Sequence, residues 1–248
     1  MRVLITRPQP QASALARKLR RAGHRPIVAP VLRIELASQA PDWGAADGLL
    51  LTSAQAARAL AGMPDVARNL PVFAVGAKTA QAARAAGFGV VRAARGDAVS
   101  LARLVRANAG TKADWHLAHA CGEVTRSHAL DELAADGIRV SRHVVYRAVA
   151  VQRLPTTIGQ ALGAGAVDWL LLYSPRSAEI FFSLVEQARL SATIAGLRIG
   201  CLSDEVAAAI GARPVGQILV APKPSEPSLL NAVGLIAAAK SARRGECA

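Results

Sequence analysis

The chain has few cysteines, few aromatic residues and no apolar run long enough to cross a membrane. Its 248 residues include three Cys, three Trp, two Tyr and four Phe. Cys121, Cys201 and Cys247 show no CxxC spacing, which excludes a disulfide scaffold and argues against structural zinc. The longest strongly apolar stretch, 167–173, carries Asp168 and falls far short of the roughly 18 residues of a membrane span. The N-terminal sequence also lacks a secretory signal, so we expect a cytoplasmic protein.

Acidic residues are scarce relative to basic ones. The chain carries 17 Asp and Glu against 30 Lys and Arg, a net charge of +13. Such a field attracts polyanions: nucleic acid, an anionic membrane surface, or a small polycarboxylate or polyphosphate. The excess could equally be a solubility feature or a genomic preference for arginine. Because aromatic residues are few and no nucleic-acid-binding module is recognisable, nucleic acid is the less favoured partner.

Short apolar runs alternate with alanine-rich helical stretches along the whole chain. This alternation predicts an α/β fold with parallel sheets covered by helices. A polar stretch before residue 168 yields no predicted element. The predicted strands or extended segments are 2–6, 24–36, 48–52, 71–75, 89–93, 115–119, 139–151, 168–173, 196–202 and 216–222. The predicted helices are 9–21, 54–62, 77–86, 100–107, 127–135, one from 175, one ending before 211 and one from about 228, with a loop over 107–114.

The sequence also repeats itself. LLLTSAQAARAL from residue 49 resembles LLLYSPRSAEIF from residue 170, which pairs Ser53 with Ser174. A second similarity pairs Gly76 with Gly200, so that Gly76 with Thr79 and Gly200 with Ser203 mark a second pair of junctions. Related elements recur in the same order, which predicts two copies of one α/β unit.

The repeats place hydroxyl residues and glycines where a strand is followed by a helix. Thr52 and Ser53 form one such junction, and Ser174 forms its equivalent. Free backbone N–H groups at a helix start bind anions, and ligands of open α/β sheets bind after the strand ends. Ser and Thr are also the preferred helix caps, so capping alone can explain them. Both interpretations stay open at this point.

Other candidate sites are weaker. No GxGxxG or Walker sequence is present, which argues against nucleotide binding. His116 and His119 lie three residues apart on a predicted strand, so they point to opposite faces and do not form a metal site. Tyr146 is either a packed strand residue or a functional hydroxyl. Arg7 is either a surface charge or a clamp for a carboxylate.

Seven segments in order resemble uroporphyrinogen-III synthases, and together they span most of the chain. Each segment is weakly specific alone, and the resemblance rests on their shared order and spacing. They are ITRP (5–8), LLLTSAQAA (49–57), FAVGAKTAQAARAAG (73–87), VVYRAV (144–149), LLYSPRSAEIF (171–181), IGCLSDEVAAAIG (199–211) and VAPKPSEPSLLNAV (220–233).

The resemblance implies two flavodoxin-like lobes with parallel sheets, joined by a pair of extended strands. One lobe is expected to be discontinuous, comprising 1–33 and 150–248. The other is expected over 36–147, with connecting strands at 34–35 and 148–149.

The resemblance also implies an activity. The family cyclises the linear tetrapyrrole hydroxymethylbilane, with inversion of ring D and release of water, to uroporphyrinogen III. The implied enzyme is a cyclising hydro-lyase that needs no cofactor and no metal. Its implied partner is a small polycarboxylate, not nucleic acid or membrane, and we expect a monomer with transient contact to the preceding pathway enzyme. The alternative is a non-catalytic two-lobed protein that binds an acidic small molecule or nucleic acid.

Individual roles also follow from the resemblance. Tyr146 matches a family tyrosine that assists departure of the terminal hydroxyl. The implied substrate-binding residues are Arg7, Thr52, Ser53, Gly76, Thr79, Ser174 and Ser203. The chain departs from the family at Cys201-Leu202-Ser203, where relatives have a turn richer in hydroxyls, and at Cys121, where an arginine is common.

Overall fold

The chain folds into two compact units. The structure is a computed structural model that describes residues 1–39, 41–64, 66–109, 114–124, 133–135 and 137–236. The first unit combines Met1–Arg33 with Val149–Ala248, and the second is Ile34–Ala148. The chain therefore passes from one unit to the other twice, and the first unit is discontinuous in sequence.

Strands and helices alternate through both units, as the sequence predicts. The strands in the described residues are β1 (Arg2–Ile5), β2 (Arg25–Val28), β3 (Leu32–Leu36), β4 (Gly48–Leu51), β5 (Val72–Ala74), β6 (Val91–Ala93), β7 (His116–Gly122), β8 (Arg139–Ala150), β9 (Trp169–Leu172), β10 (Arg198–Cys201) and β11 (Ile218–Val220). The α-helices are α1 (Gln11–Arg21), α2 (Ala54–Ala61), α3 (Ala77–Ala85), α4 (Ala98–Ala109), α5 (Thr156–Gly163), α6 (Pro175–Gln187), α7 (Asp204–Ala208) and α8 (Glu226–Ala232).

The first unit is built on a five-stranded sheet with the order β11-β10-β9-β1-β2. All four neighbouring pairs are parallel. The central strand β9 is buried along its whole length, as its run of large apolar residues predicts. Helix α1 packs its apolar stripe on this sheet and carries Lys18, Arg20 and Arg21 in its last turn. Basic residues at that end are favoured because the helix dipole is negative there.

The second unit contains a six-stranded sheet with the order β3-β8-β7-β4-β5-β6. The strands from β8 to β6 are parallel. The edge strand β3 runs antiparallel to β8, because Ala37 N donates to Val145 O and Val151 N donates to Val31 O. One face of the sheet packs on α2 and α3, and the other packs on α4.

The two units share one strand order, which explains the sequence repeat. If the first unit is followed from β9, its strands match β4, β5, β6, β7 and β8 of the second unit in order. Ser53 and Ser174 are equivalent, since each caps the helix after the first strand of this series. The predicted α/β class with two parallel-sheet lobes is thus confirmed.

The pairing of Gly76 with Gly200 was wrong. Gly76 caps α3, and its structural equivalent is Ser203, which caps α7; Gly200 lies inside β10. Thr79 consequently has no counterpart in Ser203. The alignment slipped because α7 is four residues shorter than α3, so the glycines that follow the two helices gave a misleading register.

One helix was missed, and one prediction lies mainly outside the described residues. Helix α5 occupies the stretch that was interpreted only as polar; Ile158 and Leu162 form its buried face. Two threonines and two glycines lower its helix propensity and hide this i, i+4 pair. Of the helix predicted over 127–135, only 133–135 belong to the described residues, and they are helical. The first residues of the predicted loop at 107–114 are helical instead, because α4 extends to Ala109, and residues 110–113 lie outside the described residues.

No helix of the described part of the chain is long and apolar enough to span a membrane.

Candidate functional site

Four of the predicted site residues follow strands that lie where the strand order of a sheet reverses. In the second unit β4 lies between β5 and β7, and in the first unit β9 lies between β10 and β1. Successive connections leave such a point toward opposite faces, so the loops part and expose the strand ends. Thr52 and Ser53 follow β4, Ser174 follows β9, and Arg7 follows β1. The sequence therefore predicted positions that the topology brings to the carboxyl edges of the two sheets.

Tyr146 is brought to this edge by β8. Its hydroxyl lies 3.5 Å from Ser53 Oγ, and Ser53 Oγ also accepts a hydrogen bond from Gln55 N at 3.0 Å. Ser53 Oγ uses one of its two lone pairs to accept from the start of α2, and in its contact with Tyr146 either hydroxyl can be the donor. Where Ser53 donates, the Tyr146 proton is left for a ligand.

Gly122 makes room for the Tyr146 ring. A Cβ at Gly122 would lie 2.7 Å from Tyr146 Cζ and 2.9 Å from its hydroxyl oxygen. The end of β7 is held to β8 by the hydrogen bond from Glu123 N to Tyr146 O, 3.0 Å long. Arg142 also donates to Gly122 O at 3.2 Å. The tyrosine is thus seated against a backbone that cannot accept a side chain.

A cavity of about 370 Å³ opens beside Tyr146 in the second unit. Its lining mixes apolar, hydroxyl and charged groups: Leu36, Ala37, Ser38, Glu123, Val144, Tyr146 and Arg147. Arg147 is paired with Glu35 at 2.9 Å. A larger cavity of about 500 Å³ lies along α6 in the first unit, but none of the predicted site residues lines it.

His119 supports Thr52 from inside the sheet. His119 Nε2 lies 2.9 Å from Thr52 Oγ1, and the imidazole is fully buried. Burial, with smaller contributions from Arg142 and His143, lowers the pKa of His119 to about 4, so the ring is neutral at pH 7. The sequence interpretation considered His119 only as a metal ligand and missed this contact; a buried histidine carries no signal of its partner across strands.

Arg7 is held by an ion pair and an aromatic ring. Its guanidinium donates to Glu226 Oε2 at 2.7 Å and lies 4.1 Å above the centre of the Tyr173 ring. Glu226 also accepts from Lys18 at 2.5 Å. Burial raises the pKa of Tyr173 well above its ordinary value. The cluster of Arg7, Lys18 and Glu226 keeps a net positive charge at the carboxyl edge of β1, although neither Tyr173 nor Glu226 was predicted.

Ser174 acts as a helix cap. Its Oγ accepts from Ser177 N at 3.2 Å, and its hydroxyl donates to Ser177 Oγ at 2.8 Å. Capping therefore occupies this hydroxyl, which is one of the two interpretations that the sequence left open.

The remaining predicted positions are less exposed or less favourable to an anion. Gly76 starts α3 and lies against Gly96, whose Cα would be 3.2 Å from a Cβ at Gly76. Thr79 is only 5% exposed, inside the first turn of α3. Ser203 opens a helix of five residues that begins with Asp204 and Glu205. Its hydrogen bond lowers the pKa of Glu205, so the junction already carries negative charge.

The described residues contain no group of three or more His, Cys, Asp or Glu placed to hold a metal ion. Cys121 and Cys201 are buried, and burial raises the pKa of Cys201 to about 12. A thiol in that state is protonated at neutral pH and is a poor nucleophile. The described groups at these edges include the hydroxyls of Thr52 and Tyr146 and the guanidinium of Arg7.

Comparisons with known proteins agree with this architecture. The family model described as "Uroporphyrinogen-III synthase HemD" matches residues 13–231. Comparison with curated protein sequences gave no significant match.

Solved structures resemble the chain over nearly its whole length. The uroporphyrinogen-III synthetase from Helicobacter pylori is similar with a TM-score of 0.60 and 16% identity, covering 95% of this chain and 100% of that chain. A mutant uroporphyrinogen III synthase from Thermus thermophilus is similar with a TM-score of 0.43 and 20% identity, covering 89% and 92% of the two chains. At 16% identity, the similarity to the Helicobacter pylori structure supports the fold of this chain and nothing finer.

Proposed function

Since the chain belongs to the uroporphyrinogen-III synthase family, we propose that the β4, β7 and β8 ends of the second unit hold the group that starts its reaction. The protein is an enzyme that cyclises hydroxymethylbilane to uroporphyrinogen III, inverting ring D and releasing water. We assign it to the lyases because a C–O bond is broken and water leaves.

Tyr146 assists the departure of the terminal hydroxyl in this proposal. Its O–H donates a hydrogen bond to the leaving oxygen while the adjacent pyrrole supplies the electron pair. The tyrosine proton completes the water that leaves, so an azafulvene cation and a tyrosinate remain. Ring D then attacks through its substituted carbon, the spiro intermediate fragments and recloses, and the proton lost from the closed ring returns to the tyrosinate. The observation that supports this role is the contact between Tyr146 OH and Ser53 Oγ; in the proposal Ser53 is its donor, so the tyrosine proton is left for the substrate.

The substrate carboxylates are bound by groups at the same sheet edges. Thr52 and Ser53 act in the second unit, and Arg7 acts in the first. Ser174 and Gly76 contribute mainly through the backbone N–H groups of the helices that they open, whose dipoles favour anions. Ser203 contributes less, because Asp204 and Glu205 make its junction negative. Thr79 acts by packing the first turn of α3, since it is buried.

Orientation of a flexible chain is the main task of such a site. The pyrroles are reactive without help, so the protein must decide which carbon of ring D attacks. Fixing reacting groups in one geometry removes a large entropic part of the barrier. We propose that the enzyme works as a cytoplasmic monomer without a cofactor, with transient contact to the enzyme that supplies its substrate.

Replacing Tyr146 with phenylalanine tests the proposal. We expect Tyr146→Phe to lower kcat by about ten- to a hundredfold, because a general acid supplies at most a modest part of this reaction. KM should change by less than about twofold, because the ring and its packing remain. Steady-state kinetics with hydroxymethylbilane measure both constants, and thermal unfolding serves as the control for folding. A kcat equal to that of the parent protein would remove Tyr146 from the mechanism.

A further inference from the structure

His119 is a fully buried polar side chain that contacts one of the proposed binding residues. It lies on β7, where it is paired with Leu50 of β4 and Arg142 of β8. Thr52 follows Leu50 by two residues, which brings its side chain to the same face of the sheet as His119. The distance of 2.9 Å between His119 Nε2 and Thr52 Oγ1 is a good hydrogen bond.

The other ring nitrogen of His119 decides the direction of this hydrogen bond. Nδ1 is buried and has no hydrogen-bond partner among the described residues. A neutral imidazole carries one N–H and one lone pair. If Nδ1 held the proton, a buried N–H would lack an acceptor, and such orphaned donors are rarer than orphaned acceptors. The proton therefore belongs on Nε2, and Thr52 Oγ1 accepts it.

This direction determines what Thr52 can do for a ligand. One lone pair of its oxygen accepts from His119 Nε2, while its own proton has no acceptor in the described part of the protein. A hydroxyl in this state favours an anion over a second donor. We propose that His119 is a positioning residue that makes Thr52 a dedicated hydrogen-bond donor to a substrate carboxylate. The inference rests on the proposed binding role of Thr52.

Kinetics of four variants test this arrangement. His119→Leu and Thr52→Val should each raise KM for hydroxymethylbilane by about fivefold, the value of one neutral hydrogen bond. kcat should stay within about twofold, because Thr52 binds the substrate without taking part in the bond changes. His119→Gln should recover most of the loss, since its amide can donate from nearly the place of Nε2. His116→Gln, on the same strand but bonded to Ser141, is the matched control and should leave KM unchanged.

The double variant distinguishes the positioning role of His119 from the substrate-binding role of Thr52. If His119 acts through Thr52, the combination of His119→Leu with Thr52→Val raises KM no more than Thr52→Val alone. An unchanged KM in Thr52→Val would overturn the binding role of Thr52 and the inference with it. A raised KM in Thr52→Val, together with additive effects in the double variant, would overturn only the role of His119.

The tautomer can be measured without activity. In the ¹⁵N-labelled parent protein, long-range ¹⁵N–¹H spectra distinguish a protonated Nε2 from a protonated Nδ1, and the His119 signals are those lost in His119→Gln. We expect the Nε2–H tautomer at pH 7. A proton on Nδ1 would contradict the inference, even if His119→Leu does not fold.

Discussion

Gly122 is the residue on which the seat of Tyr146 depends most directly. We expect Gly122→Ala to displace the ring, because the new methyl group would lie 2.7 Å from Tyr146 Cζ. kcat should fall to about the level of Tyr146→Phe, and the free energy of unfolding should fall by about 1–3 kcal/mol. Steady-state kinetics and denaturant unfolding measure the two effects.

Gly89→Ala is the matched control for this substitution, because nothing lies within 4 Å of a Cβ at Gly89. It should leave kcat unchanged. In the double variant Gly122→Ala, Tyr146→Phe, the two losses of kcat should not add, since one substitution displaces the hydroxyl that the other removes. A Gly122→Ala enzyme with full kcat would show that the position of the ring is not needed.

Single residues were the hardest part of the site to infer from the sequence. Tyr146 and Arg7 stood out because motifs surround them. His119 and Glu226 did not, because their roles depend on neighbours 67 and 219 residues away in the chain. Ser203 looked equivalent to other capping serines, but Asp204 and Glu205 beside it give the junction the wrong charge for an anion.

At the scale of elements, the close packing of helix on sheet depends on a glycine inside a strand. A Cβ at Gly200 of β10 would lie 2.8 Å from Val233 Cγ1 and 3.0 Å from Leu171 Cδ2. We expect Gly200→Ala to destabilise the protein by about 1–3 kcal/mol, because an overpacked core must shift. Denaturant unfolding with circular dichroism measures the change.

Gly163→Ala, in the same unit, is expected to stabilise the protein, in contrast to Gly200→Ala. Gly163 ends α5 and has open space around a Cβ. Alanine there should stabilise the folded protein by up to about 1 kcal/mol, because it lowers the conformational entropy of the unfolded chain. Equal stabilities of the Gly200→Ala and parent proteins would mean that β10 and α8 do not pack as described.

Strands were predicted more reliably than helices. Buried parallel strands such as β4 and β9 are short runs of large apolar residues, which stand out from the alanine-rich helices. Helix α5 was missed because its two buried residues lie among threonines and glycines, and tertiary packing overrides that weak propensity. The slip between Gly76 and Gly200 has the same origin, since alanine-rich helices of different length align at several registers.

At the scale of the whole molecule, the positive charge is expected to act on substrate binding. We predict that KM for hydroxymethylbilane rises severalfold between about 0.05 and 0.5 M NaCl. Added salt shortens the distance over which exposed charges interact, so the attraction between the basic protein and the substrate carboxylates weakens. kcat should stay within about twofold. Kinetics at constant pH across this range measure both, with sodium sulfate at matched ionic strength as a second salt. A KM that ignores salt would mean that the net charge of +13 serves another purpose.

The sequence repeat predicted more of the architecture than any single motif did. Two copies of one α/β unit predicted two sheets, and the shared strand order follows from that duplication. What the repeat could not give is the reversal of strand order next to β4 and β9, because topology depends on long-range pairing. That reversal exposes the loop after β4 that carries Thr52, while Arg7 and Tyr146 reach the carboxyl edges of their sheets because β1 and β8 pair in parallel with their neighbours.

The distribution of product isomers shows whether the protein directs the closure of hydroxymethylbilane. The purified protein is mixed with freshly made hydroxymethylbilane, and the products are oxidised and separated by chromatography. We predict isomer III in large excess over isomer I, which forms spontaneously, with the excess falling in Tyr146→Phe as the uncatalysed closure competes. Isomer I alone, at the rate seen without protein, would contradict it.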